Sequence, residues 1–152
     1  VVQELGDTSG RWSNTQNGKR YRDENGNYAA NCWKMISGKW YYFNQDSYAL
    51  TGWQNLNGKW YYMNDNAEMV TGWQQVNGIW YYLKPDGAMH TGWLFTGDKW
   101  YYLNADGSMA AGWIKLDGKW YYLNQNGDME TASKEIGGKV YSFDEKGACT
   151  NP

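Results

Sequence analysis

Tryptophan and tyrosine are the residues of this chain whose types and spacing could do chemistry. Trp-Tyr-Tyr stands at residues 40–42, 60–62, 80–82, 100–102 and 120–122. Gly-Trp stands at 52–53, 72–73, 92–93 and 112–113, with Cys32-Trp33 in the preceding register. Of the eleven tryptophans, all but Trp12 fall in these slots, and Trp12 holds the matching place in a degenerate first unit. Ring faces bind cations. A quaternary ammonium donates no hydrogen bond and is drawn to the electron-rich face of an aromatic ring, tryptophan most strongly. Each contact contributes about 0.5–2 kcal/mol, and about 4 kcal/mol corresponds to millimolar binding. Several rings around one cation thus make a weak site, and weak sites repeated along one chain gain avidity on a polymeric ligand.

The composition excludes several other classes. Among 152 residues there are fourteen tyrosines but only three phenylalanines, and mean hydropathy is strongly negative. Leu, Ile and Val are scarce, so one deep globular core would be hard to build. Aromatics with a polar tip or edge suit half-wet surfaces instead. A net charge of -2 with no Lys/Arg cluster argues against nucleic acid, whose phosphates call for a basic face. No apolar run reaches membrane-spanning length, so no membrane insertion is expected. The opening residues do not read as a leader, which points to a mature, truncated or cytosolic chain. Two cysteines make no disulfide framework and fit no metal site.

The elements that must position the rings are short hairpins. The period is 20 residues, and in the third full copy Trp73 to Val76 reads as a strand, Asn77-Gly78 as the turn and Ile79 to Lys84 as the return strand. Asn-Gly supplies the two positive φ angles of a two-residue hairpin turn, and Ser37-Gly38, Asn57-Gly58, Asp117-Gly118 and Gly137-Gly138 are equivalent choices. Gly97-Asp98 inverts the order, which predicts a different turn subtype there. A second turn follows in each connecting loop, at Pro85-Asp86-Gly87, Asp106-Gly107, Asn126-Gly127 and Lys146-Gly147, and a methionine follows at 69, 89, 109 and 129. Alternation along Trp60-Tyr61-Tyr62 sends Trp60 and Tyr62 to one face and Tyr61 to the other. A lone hairpin is marginal in water, whereas stacked hairpins bury aromatic faces against their neighbours. The predicted fold is therefore all-β, a solenoid of stacked β-hairpins. It comprises an N-terminal segment 1–9, a degenerate hairpin 10–32, five full repeats from 33 to 132 and a degenerate terminal hairpin 133–150. Cys32 and Cys149, in units two and seven, are expected too far apart for a disulfide.

The pattern Gly-Trp-x4-Asn-Gly-x-Trp-Tyr-Tyr-Leu-Asn-x-Asp-Gly-x-Met-x-Thr resembles the choline-binding repeat of pneumococcal surface proteins, wall hydrolases and their phages, over roughly residues 10 to 150. The resemblance implies a left-handed superhelix of hairpins on the bacterial cell surface. Its partner would be choline or phosphocholine of wall teichoic and lipoteichoic acids, seated between consecutive hairpins. Carried over position by position, it implies the sites Trp33, Trp40 and Tyr61; Trp53, Trp60 and Tyr81; Trp73, Trp80 and Tyr101; Trp93, Trp100 and Tyr121; and Trp113, Trp120 and Tyr141. Met69, Met89, Met109 and Met129 would flank them. Cys32 in place of glycine before Trp33, and Val140 in place of tryptophan, are departures at the outer sites.

Other residues read as structural. The second tyrosines (42, 62, 82, 102 and 122) are expected to hold hairpins together, and the loop methionines to serve either cage or packing. Loop Gly, Asn and Asp residues, including Asp86 and Asp106, read as turn chemistry, and His90 as a solvated loop residue. Nothing resembles a nucleophile elbow, a phosphate loop, a metal cluster or a cofactor site, so no enzymatic role is expected. Two alternatives remain: a glucan-binding repeat of similar length, or a structural spacer that forms a homodimer through a terminal hairpin. In the first unit, alignment of Gly18 with Gly38 puts Arg20 in the tryptophan slot beside Trp12 and Tyr41. A fixed charge about 4 Å from a ligand cation costs on the order of 4 kcal/mol, so this unit should lack a working site. Arg20 itself could fill the cage from within.

Overall fold

A computed structural model describes residues 4–152. The strands form seven antiparallel two-stranded sheets. These pair β1 (Arg11–Thr15) with β2 (Gly18–Arg22), β3 (Cys32–Ile36) with β4 (Lys39–Phe43), and β5 (Gly52–Leu56) with β6 (Lys59–Met63). They continue through β7 (Gly72–Val76) with β8 (Ile79–Leu83), β9 (Gly92–Thr96) with β10 (Lys99–Leu103), β11 (Gly112–Leu116) with β12 (Lys119–Leu123), and β13 (Lys134–Ile136) with β14 (Lys139–Tyr141). No described residue is helical. The chain divides into two compact units, one of residues up to 72 with 83–89, the other of 73–82 with 90–152.

Turn chemistry sets the hairpins. Both central residues have positive φ at Ser37-Gly38 (50° and 82°), Asn57-Gly58 (54° and 82°) and Asp117-Gly118 (49° and 79°). This left-handed pair matches the twist of the flanking strands. Gly97-Asp98 does not differ, contrary to the expectation from its inverted order: its angles are 58° and 63°. Aspartate tolerates the left-handed region because its short side chain bonds locally, so one geometry accepts either order. The connecting loops are closed by side-chain oxygens. Asn64 Oδ1 accepts from the Asn66 and Glu68 N–H groups, and Asp86 Oδ1 from the Ala88 N–H.

Each loop then stitches its hairpin to the preceding one. In the first unit the Ala49, Met69 and Met89 N–H groups donate to the Lys19, Trp40 and Trp60 carbonyls, at 2.9, 2.9 and 2.7 Å. In the second, Met109, Met129 and Cys149 donate to Trp80, Trp100 and Trp120, at 2.9, 2.8 and 2.7 Å. This single bond per repeat holds the 20-residue period in space.

A column of aliphatic and aromatic side chains runs behind the rings. It occupies the position after each aromatic triplet, Phe43, Met63 and Leu83 in the first unit and Leu103 and Leu123 in the second, and the matching Phe143 after Val140-Tyr141-Ser142, all buried. The first unit also buries Tyr21, Ile36 and Tyr41. Asp7 forms an isolated parallel bridge to Ile36 at the edge of β3, with the Asp7 N–H donating to the Met35 carbonyl and the Gly38 N–H to the Leu5 carbonyl, both at 2.9 Å. Asp7 accepts from the Tyr21 hydroxyl at 2.8 Å and pairs with Lys34 at 3.4 Å. Of the segment assigned to residues 1–9, Val1–Gln3 lie outside the described residues.

Candidate cation cages

The register of each hairpin decides which rings share a face. Trp93 stands opposite Tyr102 and Trp100 opposite Phe95, so Trp93, Trp100 and Tyr102 project from one side and Tyr101 from the other. The second tyrosine packs edge to face against its own hairpin's first tryptophan, at 5.2 Å for Trp93–Tyr102 and 5.0 Å for Trp53–Tyr62. These tyrosines hold the hairpin and line none of the cavities described below, as expected of them.

The two tryptophans of one hairpin and the first tyrosine of the next form a box. Trp73 and Trp80 are 6.4 Å apart at 85°, and Trp73 and Tyr101 4.9 Å apart at 67°. Trp93 with Trp100 and Tyr121 gives 6.2 Å at 90° and 5.0 Å at 71°. Trp113 with Trp120 and Tyr141 gives 6.2 Å at 89° and 4.8 Å at 69°. In the first unit Trp33 meets Tyr61 at 5.0 Å and 66°, and Trp40 completes the walls. Near-perpendicular planes turn several ring faces toward one point. The outer tryptophans stay 36–43 % exposed because that point is an open cavity, not packed core.

Four cavities result, of about 360 Å³ at Trp33, Trp40 and Tyr61, 360 Å³ at Trp73, Trp80 and Tyr101, 300 Å³ at Trp93, Trp100 and Tyr121, and 340 Å³ at Trp113, Trp120 and Tyr141. They sit at the small end of ligand pockets, which span roughly 300–1,000 Å³. Met69, Met109 and Met129 form the fourth wall of the first three. These methionines also pack, since the Met69 thioether lies over Gly87 and the Met109 thioether over Gly127, where a β-carbon would collide. The fourth cavity has no methionine: Cys149 takes its backbone position and Pro152 lines the opening. Of the remaining expected group, Trp53, Trp60 and Met89 belong to the first unit and Tyr81, on β8, to the second.

The outer walls were not anticipated. Pro85 and Asp86 line the Trp33 cavity, Gln125 and Asn126 the Trp73 cavity, and Glu145 and Lys146 the Trp93 cavity. All lie in the second turn of a loop, so their 20-residue recurrence was visible, but turn chemistry accounted for it alone. Asp86 does both, capping Ala88 and presenting a carboxylate at a cavity suited to a cation. His90 is also not simply solvated. It is half-buried, its Nε2 donates to the Trp93 carbonyl at 2.8 Å, and its ring meets Tyr82 edge-on at 6.4 Å. Cys32 and Cys149 are both free thiols. Among the described residues no His/Cys/Asp/Glu cluster could hold a metal.

The first hairpin corrects the alignment. Trp12 pairs with Tyr21 as Trp33 pairs with Tyr42, which puts Lys19 and not Arg20 opposite Asn14, in the Trp40 slot. Gly18 lies six residues after Trp12 whereas Gly38 lies five after Trp33, so aligning the glycines shifts the first hairpin by one residue. The turn is Gln16-Asn17 and Gly18 already belongs to the strand; the Thr15 Oγ1 accepts from the Asn17 N–H at 3.1 Å and donates to the Gly18 carbonyl at 2.9 Å across it. Arg20 faces the other way and stacks 3.9 Å over Tyr28. Its Nε is buried without a hydrogen bond.

Comparison with known proteins agrees with this architecture. The sequence model of the choline-binding repeat matches residues 30–70, 50–91, 70–111 and 91–133. No curated protein sequence matches the chain significantly. Among solved structures, choline binding protein F from Streptococcus pneumoniae is similar with a TM-score of 0.86 and 38 % identity, over 91 % of this chain and 51 % of that one. CbpJ from Streptococcus pneumoniae TIGR4 gives 0.87 and 38 %, over 95 % and 52 %. The modular autolysin LytC from Streptococcus pneumoniae gives 0.72 and 30 %, over 93 % and 33 %. This chain therefore spans about half the length of the first two and a third of the last. The repeat match and the shared hairpin stacking identify the chain as a member of the choline-binding repeat family.

Proposed function

We propose that this chain holds choline, free or as the phosphocholine of teichoic and lipoteichoic acids, in the cages between consecutive hairpins. It thereby attaches non-covalently to the bacterial cell wall as a binding module with no catalysis of its own. The observation that carries this reading is the box itself: two tryptophan faces set at 85–90° and a tyrosine at 67–71° to the first, with a thioether as fourth wall at Trp73 and Trp93. A trimethylammonium needs ring faces and no hydrogen-bond acceptor. Three rings at about 0.5–2 kcal/mol each span the energy of a millimolar site. Membership in the family supports the ligand, and a neighbour, CbpF, has been solved in complex with ipratropium, itself a quaternary ammonium. CbpF and LytC have also been solved with peptidoglycan analogues, which supports a wall location. Weak sites repeated along the array then gain avidity on a polymer carrying many cholines.

The test is retention on a quaternary-amine resin with elution by free choline, alongside a choline titration followed by tryptophan fluorescence. Saturable quenching and release by choline are expected. Release by salt but not by choline would reduce retention to ion exchange and sink the reading. Gln125 and Asn126 at the Trp73 cavity offer amides to sugar hydroxyls, the one feature favouring glucan. Elution by dextran in place of choline would establish that alternative.

A further inference from the structure

The first hairpin has the geometry of a cage and a cation already in it. Trp12 and Tyr41 lie 4.8 Å apart at 62°, matching Trp33–Tyr61 at 5.0 Å and 66°. Tyr41 is buried and Trp12 half-buried, so both ring faces are withdrawn from bulk water. In the slot of the second tryptophan stands Lys19, whose carbonyl accepts the same stitching bond that Trp40 accepts one repeat later. The Lys19 Nζ sits 4.3 Å from the Trp12 ring centre and 5.1 Å from that of Tyr41. Among the described residues no carboxylate pairs with this ammonium. Burial pushes the Lys19 ammonium below its usual range, opposed by the negative charge of Glu68, which also acts on Tyr41. The methionine position is Ala49, so no thioether competes for the space.

We propose that this hairpin is a cation cage occupied by the chain's own Lys19 ammonium, and that with Lys19 replaced by tryptophan it becomes a further site for a methylated ammonium. The ligand class rests on the function proposed above; the internal occupancy does not. A tethered lysine needs no ligand from solution, since its effective concentration at the rings is set by a few bonds. The first hairpin's cage is thus filled by its own side chain, whereas the four later cavities stand open. One hairpin gives up a binding site and gains a filled cage that does not depend on the wall.

Two measurements on the full chain separate these statements. In the wild type, proton shifts of the 13C-labelled lysine ε-methylene groups report the ring currents. Lys19 should lie upfield of the other lysines, with or without choline. An ordinary Lys19 shift would overturn internal occupancy. Choline stoichiometry is then compared by equilibrium dialysis. Lys19→Trp should bind one more choline per chain than the wild type, while Arg20→Gln, on the opposite face, should bind the same number. A folded Lys19→Trp variant with unchanged stoichiometry would overturn the cage. If the wild type bound no choline yet Lys19 stayed shifted, the proposed function would fall and the occupied cage would stand.

Discussion

Replacing Trp80 by alanine tests the cage with little disturbance of the fold. Trp80 is 40 % exposed, and the bond that stitches Met109 to it uses the Trp80 carbonyl, which alanine keeps. Trp73 retains its edge-on contacts with Tyr82 at 5.2 Å and Tyr101 at 4.9 Å, so two walls of the box survive. What goes is one ring face, worth about 0.5–2 kcal/mol, or about a 2- to 30-fold loss of affinity at that site. For a site near millimolar, the upper half of that range moves it beyond the concentrations at which the others saturate. Calorimetric or dialysis titration should show the stoichiometry falling by one while the remaining sites keep their affinity. The midpoint of thermal unfolding without choline should stay close to that of the wild type. Unchanged stoichiometry in a folded variant would show that Trp80 is not a cage wall. Loss of all binding with the fold intact would show that the sites are not separate, and the box-by-box reasoning would fail.

Gly87→Ala should weaken both fold and site, because Gly87 has a φ of 90° and the Met69 thioether occupies the space of its missing β-carbon. The left-handed backbone alone costs about 1–2 kcal/mol in denaturant unfolding, and displaced Met69 should lower choline affinity at the Trp33 cavity. Leu123→Ala removes a fully buried side chain and should cost about 2–5 kcal/mol in the same assay, without removing any wall of a cage. Asp7 is held down to about 2 by the Ser9 N–H, the Tyr21 hydroxyl and Lys34, so its contribution is complete above the ordinary value of 3.8 and fades as pH falls toward 2. Amide exchange or NMR of residues 5–10 should show this segment loosening across that window, and Asp7→Asn should abolish the pH dependence.

Hairpins were legible in the sequence because they rest on local rules. Asn57-Gly58 specifies two positive φ angles whatever surrounds it, and strand alternation places Trp93 and Trp100 on one face without knowledge of the neighbour. The 20-residue period then carries the same hairpin along the array, while the grouping of its two tryptophans with the first tyrosine of the next hairpin followed only from the resemblance to the choline-binding repeat. What lay beyond local rules came from contacts between segments distant in sequence. The buried column from Phe43 to Leu83, and again from Leu103 to Phe143, looks like ordinary strand ends until hairpins stack. Asp86 reads as a turn residue until its loop meets the Trp33 cavity. His90 reads as a loop residue until the Trp93 carbonyl comes within 2.8 Å of its ring. Between Lys19 and Arg20 the choice lay in the register: strand pairing sets Lys19 opposite Asn14 as Trp40 stands opposite Met35, and a one-residue shift along a strand exchanges the two faces. Residue types thus determined that ring faces would recur on one side of every hairpin. Register and stacking, which depend on where each chain segment meets the next, decided which cages stay open and which one the chain fills itself.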